Sequence, residues 1–270
     1  MEIQSITPEL EEKGLRLDKV ILNHMPDRSR TEIQKWIKAG QVIVNDNVEK
    51  ANYKVEEEDI IQVTLPDPQS TEINPENIPL DIVYEDEDVI VVNKPTGMIV
   101  HPSAGIYSGT LVNALLYHCH DLSAINGITR PGIVHRIDQD TTGAIVVCKN
   151  DYAHNFIASQ LKEHSISRTY HAIVHNHLKE EQGTIESTIG RHPVDRKKMA
   201  MNVKNGKHAV THYTVLDPLN NKYTYIQCNL ETGRTHQIRV HMASIGHPIL
   251  GDSVYGPAKC PFHLQGQTLH

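Results

Sequence analysis

The residues best equipped for chemistry lie in one run, His135-Arg136-Ile137-Asp138-Gln139-Asp140-Thr141-Thr142-Gly143. It offers an imidazole, a guanidinium, two carboxylates and two hydroxyls. A carboxylate in such a setting can serve as a nucleophile or as an acid–base group. The turn-forming stretch Thr129-Arg130-Pro131-Gly132 precedes the run, and the apolar Ala144 to Cys148 follows it. Pro and Gly punctuate, and β-branched residues favour strands, so the run is predicted as a loop leading into a buried strand. Loops held on a rigid scaffold commonly carry catalytic groups. On an extended loop, Arg136 and Asp138 project to the same side, because side chains alternate with a period of two.

Elements able to position that loop are predicted on both sides of it. Asp88 to Val92 reads as a buried strand, Asn93-Lys94-Pro95-Thr96-Gly97 as a turn, and Leu111 to His118 as a helix. Ala144 to Cys148 is a strand, and Tyr152 to Lys162 a helix. Strands follow at Arg168 to His175, Thr184 to Ile189, His208 to Leu216 and Tyr223 to Leu230. Thr235 to Ile245 is a helix whose apolar stripe is Ile238, Met242 and Ile245. Strands outnumber helices and cluster in the middle. That suits an α+β architecture, with helices on a mixed, largely antiparallel sheet.

A separate small unit is predicted over residues 14–65. Leu17 to Leu22 suggests a short helix. Ser29 and Glu32 have capping-box spacing before a second helix carrying Ile33, Trp36 and Ile37, and Gly40 ends it. Val42 to Val44 and Ile60 to Val63 read as strands, with a tight turn at Asn45-Asp46-Asn47. Arg28, Arg30, Lys35 and Lys38 fall on or beside the second helix, a cationic face suited to phosphate. Residues 66–81 hold Pro66, Pro68, Pro75 and Pro79 and are expected to form an acidic, semi-rigid tether. A second domain then spans 82–270.

The wording of these segments is specific. The run at 135–143 resembles the catalytic loop of the RluA-type RNA pseudouridine synthases, with Ile137 in place of Leu and Thr142 in place of Ser. Four further strings resemble that family in order: Asn93 to Pro102, Ser167 to Ala172, Arg191 with Lys197-Lys198-Met199, and Leu230 to His241 continuing into Gly246 to Asp252 and Tyr255-Gly256. Arg16-Leu17-Asp18, Ser29-Arg30 and Ile37 to Asn45 resemble the S4 RNA-binding domain.

The resemblance implies isomerisation of uridine to pseudouridine in RNA, nearest to the branch that modifies large-subunit ribosomal RNA. It implies Asp138 as the essential carboxylate, Tyr170 as an active-site aromatic able to stack on uracil and act as a base at C5, and Arg239 as the partner of Asp138. Arg136 is implied to help hold the flipped nucleotide or to fill its place in the stack, with Ile249 and Leu250 as apolar walls. The isomerisation gains and loses no atoms, so no cofactor is expected. The family continues past Gly266 to His270 with further strands. The chain's C-terminal end is therefore expected to be truncated, with a sheet edge exposed.

Composition narrows the alternatives. Net charge is −7, yet residues 66–92 alone contribute −8, and residues 93–270 carry 17 Lys plus Arg against 12 Asp plus Glu. Residues 1–65 carry 13 acidic against 9 basic side chains, so any RNA contact there must be a local patch. Cys119, Cys148, Cys228 and Cys260 form no CxxC pair, and HExxH is absent, so no metal is expected. His171 and His175 share a strand face but lie roughly 13 Å apart along it, too far for one metal. No stretch is apolar enough to span a bilayer, and Met1 to Leu10 lacks a secretory pattern. A cytoplasmic monomer acting on ribosomal RNA or a pre-ribosomal particle is expected. Two other readings stay open: a non-catalytic RNA-binding assembly factor, and a nucleosidase using Asp138 with Asp140.

Overall fold

The computed structural model describes residues 2–65, 73–103, 105–127 and 129–270. The chain divides into two compact units, Met1–Thr71 and Glu72–His270.

The first unit holds β1 (Glu2–Ile6), α1 (Leu17–His24), α2 (Arg30–Lys38), β2 (Val42–Val44), β3 (Asn47–Val48) and β4 (Ile61–Leu65). Its antiparallel sheet has the order β1-β4-β2-β3. The unit thus begins before Gly14: β1 pairs along the whole of β4, from Glu2 opposite Leu65 to Ile6 opposite Ile61. With only Ile3 and Ile6 as apolar residues, β1 carries little strand signal of its own. Asn45 and Asp46 adopt φ of 47° and 63°, the paired left-handed geometry that a two-residue hairpin turn needs. Half of the expected capping box forms: Ser29 Oγ accepts from Glu32 N at 3.2 Å. The Glu32 carboxylate faces Arg28 at 3.7 Å instead. Leu17, Ile21, Ile33, Ile61 and Val63 are fully buried in the core of this unit.

In the second unit β5 (Ile82–Glu85), β6 (Val89–Lys94) and β7 (Gly143–Cys148) form a three-stranded antiparallel sheet. A five-stranded antiparallel sheet has the order β10-β9-β11-β12-β8, from β8 (Thr169–His175), β9 (Gln182–Arg191), β10 (Met199–Met201), β11 (Lys207–Leu219) and β12 (Tyr223–Leu230). The helices are α3 (Leu111–His118), α4 (Asp151–Lys162) and α5 (Gln237–Ser244). This is the expected α+β class. Alternation along β12, with Thr224, Ile226 and Cys228 buried, matches a strand covered on one face.

Two further expectations are corrected. Of the predicted tether, residues 66–72 lie outside the described residues, but 73–81 is no free linker. Glu76 N donates to Asn113 O at 2.9 Å, Asn113 Nδ2 to Asn74 O at 2.8 Å, and Asn93 Nδ2 to Asp81 Oδ2 at 2.8 Å. Ile73 and Leu80 pack on the core beneath. Buried Asn113 must find acceptors, and two apolar side chains must leave water, so the strap docks. The outer edge of β8 is also covered: Leu250 N donates to Ile173 O at 2.8 Å, and His171 and His270 exchange two backbone bonds of 2.8 and 2.9 Å.

Candidate active site

The loop ahead of β7 is clamped from several sides. Gly132 (φ +69°) starts it, and a Cβ there would lie 2.5 Å from Cys148 O, so only glycine fits. Lys94, at the end of β6, is fully buried. Its Nζ donates to Pro95 O, Met98 O and Gln139 O at 2.7, 2.8 and 2.9 Å. Burial draws its pKa down to about 8, against the pull of the Asp140 and Asp138 charges. The ammonium therefore persists at neutral pH and supplies all three donors. Gln139 Nε2 donates to Gly97 O at 3.1 Å, and Gln267 Nε2 to Thr141 Oγ1 at 2.7 Å.

Asp138 thereby meets α5. Arg239 Nη1 donates to Asp138 Oδ2 at 2.9 Å. The other edge of the guanidinium grips Asp252, with Nε to Oδ2 at 2.7 Å and Nη2 to Oδ1 at 3.0 Å. Asp252 is itself fixed by Val254 N and Tyr255 N at 2.8 and 3.1 Å. Burial opposes the charge of Arg239, but the bonds and charges of Asp252 and Asp138 outweigh it and hold the guanidinium above its ordinary value. Burial likewise opposes ionisation of Asp252, and the bonds from Arg239 overcome it, so its carboxyl lies below the usual range. One Asp138 oxygen, Oδ1, has no hydrogen-bond partner among the described residues.

Asp138, Tyr170, Arg239 and Arg136 all line one cleft of about 520 Å³. Among the described residues, Asp138 is the only carboxylate in its wall, beside Arg136, Lys162, Arg168, Arg234 and Arg239. Such a cleft favours an anionic chain, and it holds one carboxylate in its wall among the described residues. Tyr170 lies at the start of β8, and burial raises its phenol pKa, so it rests protonated. Ile249 and Leu250 do not line the cleft. They are buried at 0% and 4% exposure, and Ile249 bridges Val174 in the core. The apolar wall comes instead from Ile137, Leu230, Ile238 and Leu269. Asp140 is also outside the cleft, which leaves the nucleosidase reading without its second carboxylate.

Sequence reasoning did not single out Lys94, His236, Asp252 or Tyr255, although all four stand inside the family-like strings. Their roles depend on which partners the fold supplies. His236 lies in the left-handed region (φ 57°) at the N-cap of α5, a conformation uncommon for a residue other than glycine. Among the described residues, Glu85, His118 and Cys119 bring ligand atoms within 4.8 Å of one another. Lys149 Nζ already sits 3.2 Å from Glu85. None of these lines the cleft. His171 and His177 have separate partners, Tyr225 OH and Asn220 O.

On the first unit the four cations differ. Arg30 donates to fully buried Asp18 at 3.1 and 3.2 Å, alongside Arg16 and Gln34. Burial works against that carboxylate's charge, but these bonds hold its pKa down at about 2. Arg28 lies 5.9 Å from the Trp36 ring centroid. Lys35 and Lys38 are exposed, with no ion pair among the described residues.

A cation-walled cleft around one oriented carboxylate, on an α+β fold with a second small unit, fits an enzyme that acts on a polyanion. The RNA pseudouridylate synthase family profile matches residues 88–244, and the S4 domain profile matches 15–61. The chain is 50% identical over 265 residues to the uncharacterized RNA pseudouridine synthase YlyB of Bacillus subtilis (strain 168), covering 98% of this chain and 86% of that protein. It is 47% identical over 273 residues to ribosomal large subunit pseudouridine synthase D of Zymomonas mobilis subsp. mobilis, covering 100% and 86%. The human RNA pseudouridylate synthase domain containing 1 structure superposes with a TM-score of 0.58 at 27% identity, over 76% of this chain and 79% of that one. The chain belongs to the RNA pseudouridine synthase family and is an RNA pseudouridine synthase. No described helix is long and apolar enough to cross a membrane.

Proposed function

We propose that the enzyme isomerises uridines of large-subunit ribosomal RNA, with Asp138 as the essential carboxylate and the S4 unit as an RNA-binding module. The observation carrying the target is the near-full-length similarity to proteins named for the large ribosomal subunit. The observation carrying the chemistry is the one carboxylate that the described residues place in the cleft, held through Oδ2 and with no described partner on Oδ1.

Isomerisation breaks C1′–N1 and forms C1′–C5. The proton on C5 leaves and N1 gains one, so the reaction balances without an external reactant. A target inside structured RNA must leave its stack to reach the cleft. Arg136, exposed on the rim, holds the displaced nucleotide. Tyr170 presents its ring to the uracil, and stacking on a base contributes about 1–3 kcal/mol. Asp138 uses Oδ1 on the nucleotide while Arg239 keeps Oδ2 occupied. Lys35 and Lys38, with Arg28, supply the phosphate contacts of the S4 unit.

Pseudouridine mapping in ribosomal RNA from cells lacking the protein tests this reading. Specific large-subunit positions should revert to uridine. Wild-type protein should restore them and Asp138→Asn should not, although it binds RNA normally. An unchanged large-subunit map would refute the target, and restoration by Asp138→Asn would refute the assignment of Asp138.

A further inference from the structure

His236 faces the Asp138 carboxylate from the N-terminus of α5. Its Nε2 lies 3.9 Å from Oδ2, the oxygen that Arg239 already holds. Its other nitrogen, Nδ1, lies 2.8 Å from the hydroxyl of Tyr255. That hydroxyl oxygen accepts from Met199 N at 2.7 Å. Among the described residues, the Tyr255 proton has no acceptor other than Nδ1. A hydroxyl that donates to Nδ1 leaves the ring proton of a neutral imidazole on Nε2, facing Asp138. The backbone conformation fits this reading. A left-handed histidine stores strain that its surroundings must offset. They do so here through Gln237, whose Oε1 accepts from Thr232 Oγ1 and Arg234 N, and whose Nε2 donates to Val210 O and Thr211 Oγ1. The adjoining residue is thus bolted at every polar atom, and His236 is turned into the cleft that it lines.

We infer that His236 is a positioning residue: Tyr255 fixes it as the Nε2–H tautomer, and its N–H dipole, 3.9 Å from Oδ2 of Asp138 and not hydrogen-bonded to it, favours the orientation that Arg239 gives the carboxylate, with Oδ1 toward the nucleotide. The inference rests on the reading of Asp138 as the essential carboxylate. The charged groups acting on the imidazole are Asp138 and Asp252, which favour protonation, and Arg239 and Arg191, which oppose it. Burial is the largest influence and opposes protonation, so the ring is neutral when it acts.

Asparagine and glutamine separate positioning from mere structure. Asparagine tolerates the left-handed conformation, and its amide can stand where Nδ1 stood beside Tyr255, but it does not reach Asp138. Glutamine extends an N–H donor to about the place of Nε2. In single-turnover tritium release from C5-labelled uridine in folded RNA, His236→Asn should slow the chemical step by about 10- to 100-fold, with RNA affinity within twofold. His236→Gln should recover most of that loss. Nitrogen-15 NMR of labelled histidine in the wild-type protein, assigned by through-bond correlation from the His236 backbone, should show a neutral ring protonated on Nε2 at pH 7. Equal losses in both folded variants, a wild-type rate for His236→Asn, or a ring protonated on Nδ1 would each overturn the inference. The tautomer measurement stands even where a variant fails to fold. Failure of the Asp138 reading shows separately, as an active Asp138→Asn protein.

Discussion

Asp252 touches no substrate in this arrangement, yet Asp252→Asn should damage both stability and catalysis. Asp252 is fully buried and Arg239 nearly so, and two bonds of 2.7 and 3.0 Å join them. Neutralising one member of a buried ion pair costs about 3–5 kcal/mol. Two features reduce that here. The asparagine oxygen can still accept from Val254 N, Tyr255 N and Arg239 Nη2, and Asp138 still offers Arg239 an anion at 2.9 Å. A loss of about 2–4 kcal/mol follows. The new Nδ2 faces the Nε–H of Arg239, donor against donor, and drives the guanidinium toward Asp138. There it can engage both carboxylate oxygens, including the Oδ1 otherwise left free. The chemical step should slow by about 10- to 100-fold, or about 1.4–2.7 kcal/mol in the barrier, while RNA affinity holds. The sign of the pH dependence follows from the depressed carboxyl pKa of Asp252. Its stabilisation is full above the unfolded value of about 3.9 and is lost as pH falls through the folded value. The gap between wild type and variant should therefore close in acid. Urea unfolding, with the midpoint shifting at constant slope, and single-turnover tritium release measure the two effects. A variant within 1 kcal/mol of wild type in stability and unchanged in rate would refute the anchoring argument.

Arg239→Lys keeps the charge but cannot span Asp138 and Asp252 with one ammonium, and tritium release should fall by about 10²–10³-fold; a near-normal rate would show that charge alone suffices. Lys94→Met leaves three carbonyls without their donor and should lower stability by about 3–5 kcal/mol, measured as a shifted urea midpoint; a shift under 1 kcal/mol would mean that the ammonium does not hold the loop. Reversing Lys35 and Lys38 to Glu should leave the unfolding midpoint unchanged but weaken RNA binding, with the log–log salt slope falling by about 1 for each phosphate no longer neutralised. An unchanged slope would remove the S4 helix from the RNA-binding surface.

Local pattern along the chain was enough for the elements that depend on it. Alternation and apolar periodicity located most strands and the helices of the catalytic unit, because the period of side-chain burial is set by backbone geometry. The string around Asp138 was legible as a loop because Gly132 and Gly143 bracket it and a β-branched run follows. The strap at 73–81 was misread because prolines signal an extended chain, and an extended chain can be free or docked. Only the partners in space, Asn113 and the core under Ile73 and Leu80, decide between the two. Ile249 and Leu250 have the residue type of a pocket wall, but pairing beside β8 places them in the core. Arg239 and Asp138 stand 101 positions apart, and Lys94 reaches Gln139 across 45. Such pairings arise from the packing of sheet, loop and helix, not from spacing along the chain. Asp252 and Tyr255 acquire their roles in the same way. An aspartate and a tyrosine after a turn carry no distinguishing local signal until the fold sets one around a buried guanidinium and the other against an imidazole.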